Sequence, residues 1–246
     1  MHEKKAKVLS LVPSWTETLL EAGVNVIGRS RFCIHPVEKV KSIPAVGGTK
    51  NLKLEEILAL QPEYVVLDRE ENTREMAEAL SANGIHLLVS HVQDLSSAAD
   101  FLAEAGETLC NPELKAYAER YRALGAALFS REQFITEVVL AKNAELEWDR
   151  IEYVIWKNPY MVIGQNTFIA DVLSRFGVSL LRLEKYPKIG ETELRAAYNF
   201  FSSEPYPFAK DFSLLTEQGF RGALVDGEKI SWYGIRNLRF LESCRL

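Results

Sequence analysis

Hydrophobic positions along this chain fall into two alternating patterns: short Val-, Leu- and Ile-rich runs, and stretches with apolar residues at three- and four-residue steps. The first kind reads as buried parallel strand, the second as helix with one buried stripe. Residues 7–12 (KVLSLV) form a first strand, ended by Pro13-Ser14. Ser14 has Glu17 three residues on, the spacing of a capping box, so a helix is predicted over 15–22, stopping at Gly23. VIGRS (26–30) is a second strand, and 31–53 lacks a helical period and reads as loop. Helix 54–60, strand 64–68, helix 71–82, strand 85–90 and a helix to about Cys110 follow, with Asp94 and Ser96 as candidate caps for the last. Alternating strand and helix predict parallel pairing through crossover helices.

The longest helical pattern is 112–130, PELKAYAERYRALGAALFS. Asn111 suits the N-cap, Pro112 the first helical position, and Glu113 the positive end of the helix dipole. Leu114, Tyr117, Tyr121, Leu124 and Leu128 form its apolar stripe. A helix of that length would run about 28 Å, so it reads as a spine joining two α/β lobes, 1–110 and 131–246, through 111–130. In the second lobe 134–141, 151–156, 178–183, 198–203 and 222–227 read as strands. Helices are predicted from Asn166-Thr167 to Phe176, over 191–197, over 211–219 and over 234–241.

Composition narrows the function classes. A net charge of -5 and no basic stripe argue against nucleic acid as partner. No apolar run approaches the roughly 20 residues that span a bilayer. Cys33, Cys110 and Cys244, odd in number and widely spaced, do not suggest a disulfide framework. MHEKKAK leads into an apolar run too short for a secretory signal, so the expectation is a protein that stays in the cytoplasm or one recorded after processing, with the initial Met favouring the first.

In open parallel sheets ligands collect outside the carboxyl ends of the strands. The polar and aromatic stretches there are Pro13-Ser14-Trp15, Arg31 through Pro36, Gly47-Gly48-Thr49-Lys50-Asn51, Asp68-Arg69-Glu70, Trp156 through Tyr160, Ser202 through Phe208, and Asp226 through Gly234. Trp15 can pack against the neighbouring strand or face a cleft. Cys33 and His35 could reach one metal ion, although a structural zinc needs further ligands. Gly47-Gly48-Thr49-Lys50 lacks the full phosphate-loop spacing and reads as a turn. The prolines of SSEPYPF stiffen a loop that presents Glu204 and Tyr206, or serve only to connect strand to helix. No GxSxG elbow or HExxH motif is present.

The segments KVLSLVPSWTETLLEAGVNVIGRS, IPAVGGTKNLKLEEILALQPEYVVLD, GIHLLVS and YMVIGQNTFIADVLSRFGV resemble the class III periplasmic-binding-protein fold. This helical-backbone metal-receptor superfamily includes the vitamin B12- and iron-siderophore-binding proteins of ABC importers. CIHP and SSEPYPF look like those of a signal-less subgroup of cobalamin-like binding proteins. The resemblance implies two Rossmann-like lobes with parallel sheets, a single backbone helix and a ligand cleft between the lobes. It also implies a periplasmic or cell-surface location by family, in contrast to the reading from the N-terminus.

Carried over by position, the resemblance places Pro13, Ser14, Trp15, Phe32, His35, Gly47, Gly48, Asp68 and Arg69 in the first cleft wall. Asn158, Pro159, Tyr160, Glu204 and Trp232 fall in the second. Arg31, Trp156 and Tyr206 complete the expected ligand set, with His35 as an axial metal ligand. Glu21 or Glu70, with Glu193 or Glu204, are the expected docking carboxylates for importer membrane subunits. The expectation is a monomeric, non-enzymatic binder of a bulky metal chelate with no intrinsic cofactor, a corrinoid ahead of a ferric siderophore or haem. The alternatives are direct metal-ion binding through Cys33, His35 and Glu204, cytoplasmic cofactor handling, or a small-molecule enzyme using Glu204 as acid or base.

Overall fold

The computed structural model describes residues 5–48 and 53–246, so Thr49, Lys50 and Asn51 of the glycine-rich turn lie outside the described residues. The chain divides into two compact α/β units. The first contains residues up to Val92, Ser96–Arg122 and Tyr233–Leu238, and the second contains Gln93–Leu95, Ala123–Trp232 and Arg239–Leu246.

The first unit begins with β1 (Val8–Ser10), α1 (Pro13–Glu21), β2 (Val26–Arg29), α2 (Val37–Val40) and α3 (Leu54–Leu60). β3 (Tyr64–Asp68), α4 (Arg74–Ala82), β4 (His86–Ser90), α5 (Leu95–Thr108) and α6 (Pro112–Leu124) complete it, with minor exchanges at its borders. The four strands pair parallel in the order β2-β1-β3-β4. Leu9, Leu11, Val65 and Leu67 pack with Ile57 of α3 and Leu80 of α4, all essentially removed from water. The strand order reverses direction at β1, which makes the carboxyl ends of β1 and β3 a topological switch point.

Several helix starts differ from expectation. α1 opens at Pro13 with Val12 at the cap position and no side-chain capping bond. Proline lacks the N–H that a cap would satisfy and its φ suits the first turn, so Ser14 lies inside the helix and the expected capping box does not form. The segment 31–53 includes the short α2. α6 is capped as expected, Asn111 Oδ1 accepting from Leu114 N at 3.0 Å. It ends at Leu124, however, and Leu128 is 74% exposed outside it rather than part of the buried stripe. At 13 residues α6 spans about 20 Å, and residues through Arg122 group with the first unit.

The second unit contains α7 (Arg131–Val138), β5 (Val139–Lys142), β6 (Glu152–Trp156), β7 (Tyr160–Ile163), α8 (Phe168–Ser174) and β8 (Lys188–Ile189). α9 (Glu191–Ala196), β9 (Tyr198–Ser202), α10 (Phe212–Glu217), β10 (Arg221–Val225), α11 (Gly227–Ser231) and α12 (Ile235–Ser243) follow, α12 starting in the first unit. The sheet order is β5-β10-β9-β6-β7-β8, parallel across β10, β9 and β6 and antiparallel at both flanks.

The strand expected over 134–141 is mostly helix. Ser130 Oγ caps α7 by accepting from Gln133 N, and Phe134 and Val138, one turn apart, are both buried. The expected strand 178–183 reduces to one bridge, Ile151 with Leu180. Beyond it the chain is held as a loop by Gln165 N donating to Arg182 O and Gly164 N to Lys185 O, with Leu183 75% exposed. The hairpin strand β7 carries no turn glycine in front of it and went unread.

Candidate functional site

In the first unit β1 runs straight into Pro13, and the first turn of α1 aims Trp15 into the fold. The indole is 1% exposed, lying against Phe101 at 4.5 Å and Tyr233 at 4.8 Å between ring centroids. Trp15 therefore packs inside the unit and offers no open ring face, a correction to its expected role as a contact surface. Its Nε1 donates to Ser90 Oγ at 2.8 Å, and Ser90 Oγ lies 2.6 Å from Asp68 Oδ2. Asp68 Oδ1 accepts from Glu70 N, and Asp68 N donates to Asn72 Oδ1. Asp68 is thus a buried, satisfied carboxylate that organises the β3–α4 turn. Beside it an open cavity of about 490 Å³ is lined by Leu67, Asp68, Arg69, Asn72 and Val89.

Tyr233 joins this cluster from far along the chain, its hydroxyl donating to Glu71 Oε1 at 3.3 Å. Burial, then the nearby Glu71 and Asp68 carboxylates, push its phenol well above the usual range. The next residue, Gly234, has φ of 91°, and its N–H and C=O both bond Tyr121 Oη. A Cβ there would lie 2.1 Å from Thr18 Oγ1, so only glycine fits the turn. Neither Ser90 nor Glu71 carries a sequence signal: a serine ending a strand is ordinary, and Glu71 reads as the first residue of the expected helix 71–82, which starts only at Arg74.

The loop after β2 is organised by Arg29, whose guanidinium donates to the carbonyls of Val40, Ile43, Ser30 and Cys33. Arg31 N donates to Gly47 O at 2.8 Å, bringing the two expected site segments together. The Arg31 guanidinium lies 4.7 Å from the centre of the Phe32 ring. Phe32 and Ile34 are exposed, His35 is half-buried, and Gly48 is buried.

Cys33 points the other way and is fully buried. Thr16 Oγ1 donates to its sulfur at 3.0 Å, and Ser30 Oγ is 3.1 Å away. Burial pushes the thiol up, outweighing those hydrogen bonds, whereas a metal requires the thiolate. Among the described residues no group of three or more His, Cys, Asp or Glu side chains could hold a metal ion. The expected Cys33–His35 metal pair is therefore replaced by a structural thiol and a surface-loop histidine.

In the second unit the carboxyl ends of β6 and β9 carry two side-chain groups. Trp156 is 43% exposed and meets Tyr206 edge-on at 6.0 Å. Tyr206 in turn lies against buried Phe208, the ring centres 4.6 Å apart and the planes tilted by 53°. Asn158 sits exposed in the β6–β7 turn at φ of 65°, and Tyr160 is half-buried against Phe220. The other group centres on Glu204, whose Oε1 accepts from Ser231 Oγ at 2.6 Å, with the half-buried Trp232 indole as a further donor. Burial raises the Glu204 carboxyl, against the pull of these two hydrogen bonds.

The acidic residues expected to dock on a transporter are differently placed. Glu21 pairs with Lys39 at 2.9 Å, Glu70 lies 3.7 Å from His91, and Glu193 pairs with Arg182 at 3.0 Å. Glu204 is turned inward by Ser231, so it does not present the exposed charge expected of a docking residue.

Comparison with known proteins gives this arrangement a context. The family model for periplasmic binding proteins matches residues 8–194. A vitamin B12-binding protein of Salmonella paratyphi A is 30% identical over 107 residues, 44% of this chain and 40% of that protein. One of Vibrio campbellii is 31% identical over 156 residues, 62% of this chain and 55% of that protein. The matches thus span about half or less of these curated relatives. A periplasmic haem-binding protein of Pseudomonas aeruginosa, 22% identical, has the same fold with a TM-score of 0.74 over 98% of this chain and 95% of its own. No helix among the described residues is long and apolar enough to cross a membrane. With more than half its length matched by that family model, the chain belongs to the periplasmic binding protein family.

Proposed function

We propose that this protein captures a bulky metal chelate, a corrinoid ahead of haem or a ferric siderophore, as the substrate-binding component of an ABC importer. The observation that carries the reading is Trp156, a large aromatic ring 43% exposed at the carboxyl end of a parallel strand and braced by Tyr206. A braced, exposed ring at the carboxyl end of a parallel strand offers flat apolar surface to a ligand. Phe32, backed by Arg31, offers a second such surface in the first unit. The corrinoid is favoured over haem because the relatives at 30 to 31% identity are vitamin B12-binding proteins. Arg69, Asn158 and Tyr160 supply polar contacts, and His35 is the candidate axial ligand to cobalt or iron.

Calorimetric titration with cyanocobalamin, cobinamide, hemin and a ferric hydroxamate tests the reading. Saturable binding of a corrinoid, tighter than hemin, is expected. Heat with none of the four would reject it. For the axial ligand, a His35→Ala variant whose bound corrinoid keeps the wild-type visible spectrum would remove His35 from that role.

A further inference from the structure

Asp211 joins the 3-10 turn Phe208–Lys210 to α10, with its own backbone helical at φ of -105° and ψ of -8°. Its carboxylate makes no capping bond to α10. Instead Oδ2 accepts from Lys157 Nζ at 2.7 Å and from Tyr206 Oη at 2.7 Å. Lys157 adjoins Trp156 in the β6–β7 turn, whereas Tyr206 belongs to the loop after β9. One carboxylate therefore ties two separate loops whose aromatic rings meet edge to face. Both partners are shielded, Lys157 at 18% and Asp211 at 23% side-chain exposure, so the tie is less open to solvent screening than a surface pair. The backbone adds a second link, Tyr206 N donating to Ile155 O at 3.3 Å. Tyr206 rests on Phe208, which continues through Phe201 into the core of the unit.

We infer that Asp211 is a positioning residue, which holds Trp156 and Tyr206 as one preformed aromatic platform for a flat face of the chelate. This inference rests on the binding reading given above. What distinguishes it from a generic surface ion pair is that one carboxylate oxygen accepts from both loops at once, with Lys157 and Asp211 both shielded. A ring held in place before binding loses less freedom when the ligand arrives, so the tie contributes affinity without Asp211 touching the ligand.

The test combines spectroscopy with a double-mutant cycle. Protein labelled with fluorotryptophan carries four probes, Trp15, Trp148, Trp156 and Trp232, and Trp156→Phe assigns the relevant fluorine resonance. Asp211→Ala is expected to shift or broaden that resonance while Trp15 and Trp148 stay in place, and to weaken corrinoid binding severalfold. In a Trp156→Ala background the same substitution should cost nothing further, because the two act through one element. Asp211→Asn, which keeps an acceptor for Tyr206, serves as the milder variant should Asp211→Ala fold poorly. An unmoved Trp156 resonance, or affinity losses that multiply in the double variant, would overturn the inference. Wild-type protein that binds no chelate would defeat the binding reading instead, leaving the fluorine spectra to decide the positioning claim alone.

Discussion

The Trp15 indole N–H donates to Ser90 Oγ at 2.8 Å, joining the first turn of α1 to the end of β4 across the switch point. Ser90 reaches Asp68 at the end of β3, so three segments distant in sequence meet in one buried polar chain. Replacing Ser90 with Ala leaves the indole donor and one Asp68 oxygen without that partner. Chemical denaturation should register a loss of about 1 to 3 kcal/mol. In a Trp15→Phe background the same Ser90→Ala substitution should cost less, since the stranded indole donor is gone.

The second unit is centred on Phe134, fully buried with Trp148, Phe176, Phe200 and Phe240 rings around it. Phe134→Ala should cost about 3 to 5 kcal/mol. A loss below 1 kcal/mol by urea unfolding would show that the cluster closes over the gap.

Much of this was legible in the sequence. Strand 64–68 and helix 54–60 stand where their apolar patterns put them, because buried parallel strands are continuous apolar runs and their crossover helices are amphipathic. The resemblance to periplasmic binding proteins was carried by the same segments. Helix α7 was misread because FITEVVLA is rich in β-branched residues, and tertiary burial of Phe134 and Val138 one turn apart overrode that propensity. Trp156 and Phe32, singled out by type and position, are exposed. Trp15 and Cys33 were placed at the right strand ends but face inward, and neither periodicity nor spacing reports which way a first-turn side chain or a loop thiol points. Asp211 read as the start of a helix, and only three-dimensional contact reveals its partners.

Thiol reactivity separates the cysteines. Cys110 is exposed, whereas Cys33 and Cys244 are buried, and burial pushes Cys244 up to about 11. An aromatic disulfide reagent should titrate a single thiol in native protein and all three after unfolding in denaturant. Rapid reaction of Cys33→Ser and wild type to different extents would contradict the buried placement of Cys33.

Glu204 makes stability depend on pH in a definite direction. Its folded-state value is raised by burial, so the folded protein holds this proton more tightly than the unfolded chain. Stability from this group is fully present below the ordinary carboxylate value and is lost as pH rises through the raised one. Glu204→Gln removes the titration while keeping an acceptor for Ser231. The variant should therefore gain stability relative to wild type at pH 8, with the gain shrinking toward pH 4. A stability difference that stays constant across that range would refute the assignment.

The central claim is tested most directly by titrating the purified protein with cyanocobalamin while recording tryptophan emission and the visible corrin band together. The account predicts saturable quenching at one-to-one stoichiometry with a shifted band, and a much weaker response in Trp156→Ala. Emission that falls only in proportion to corrinoid absorbance, with no saturation and no difference between wild type and Trp156→Ala, would contradict it.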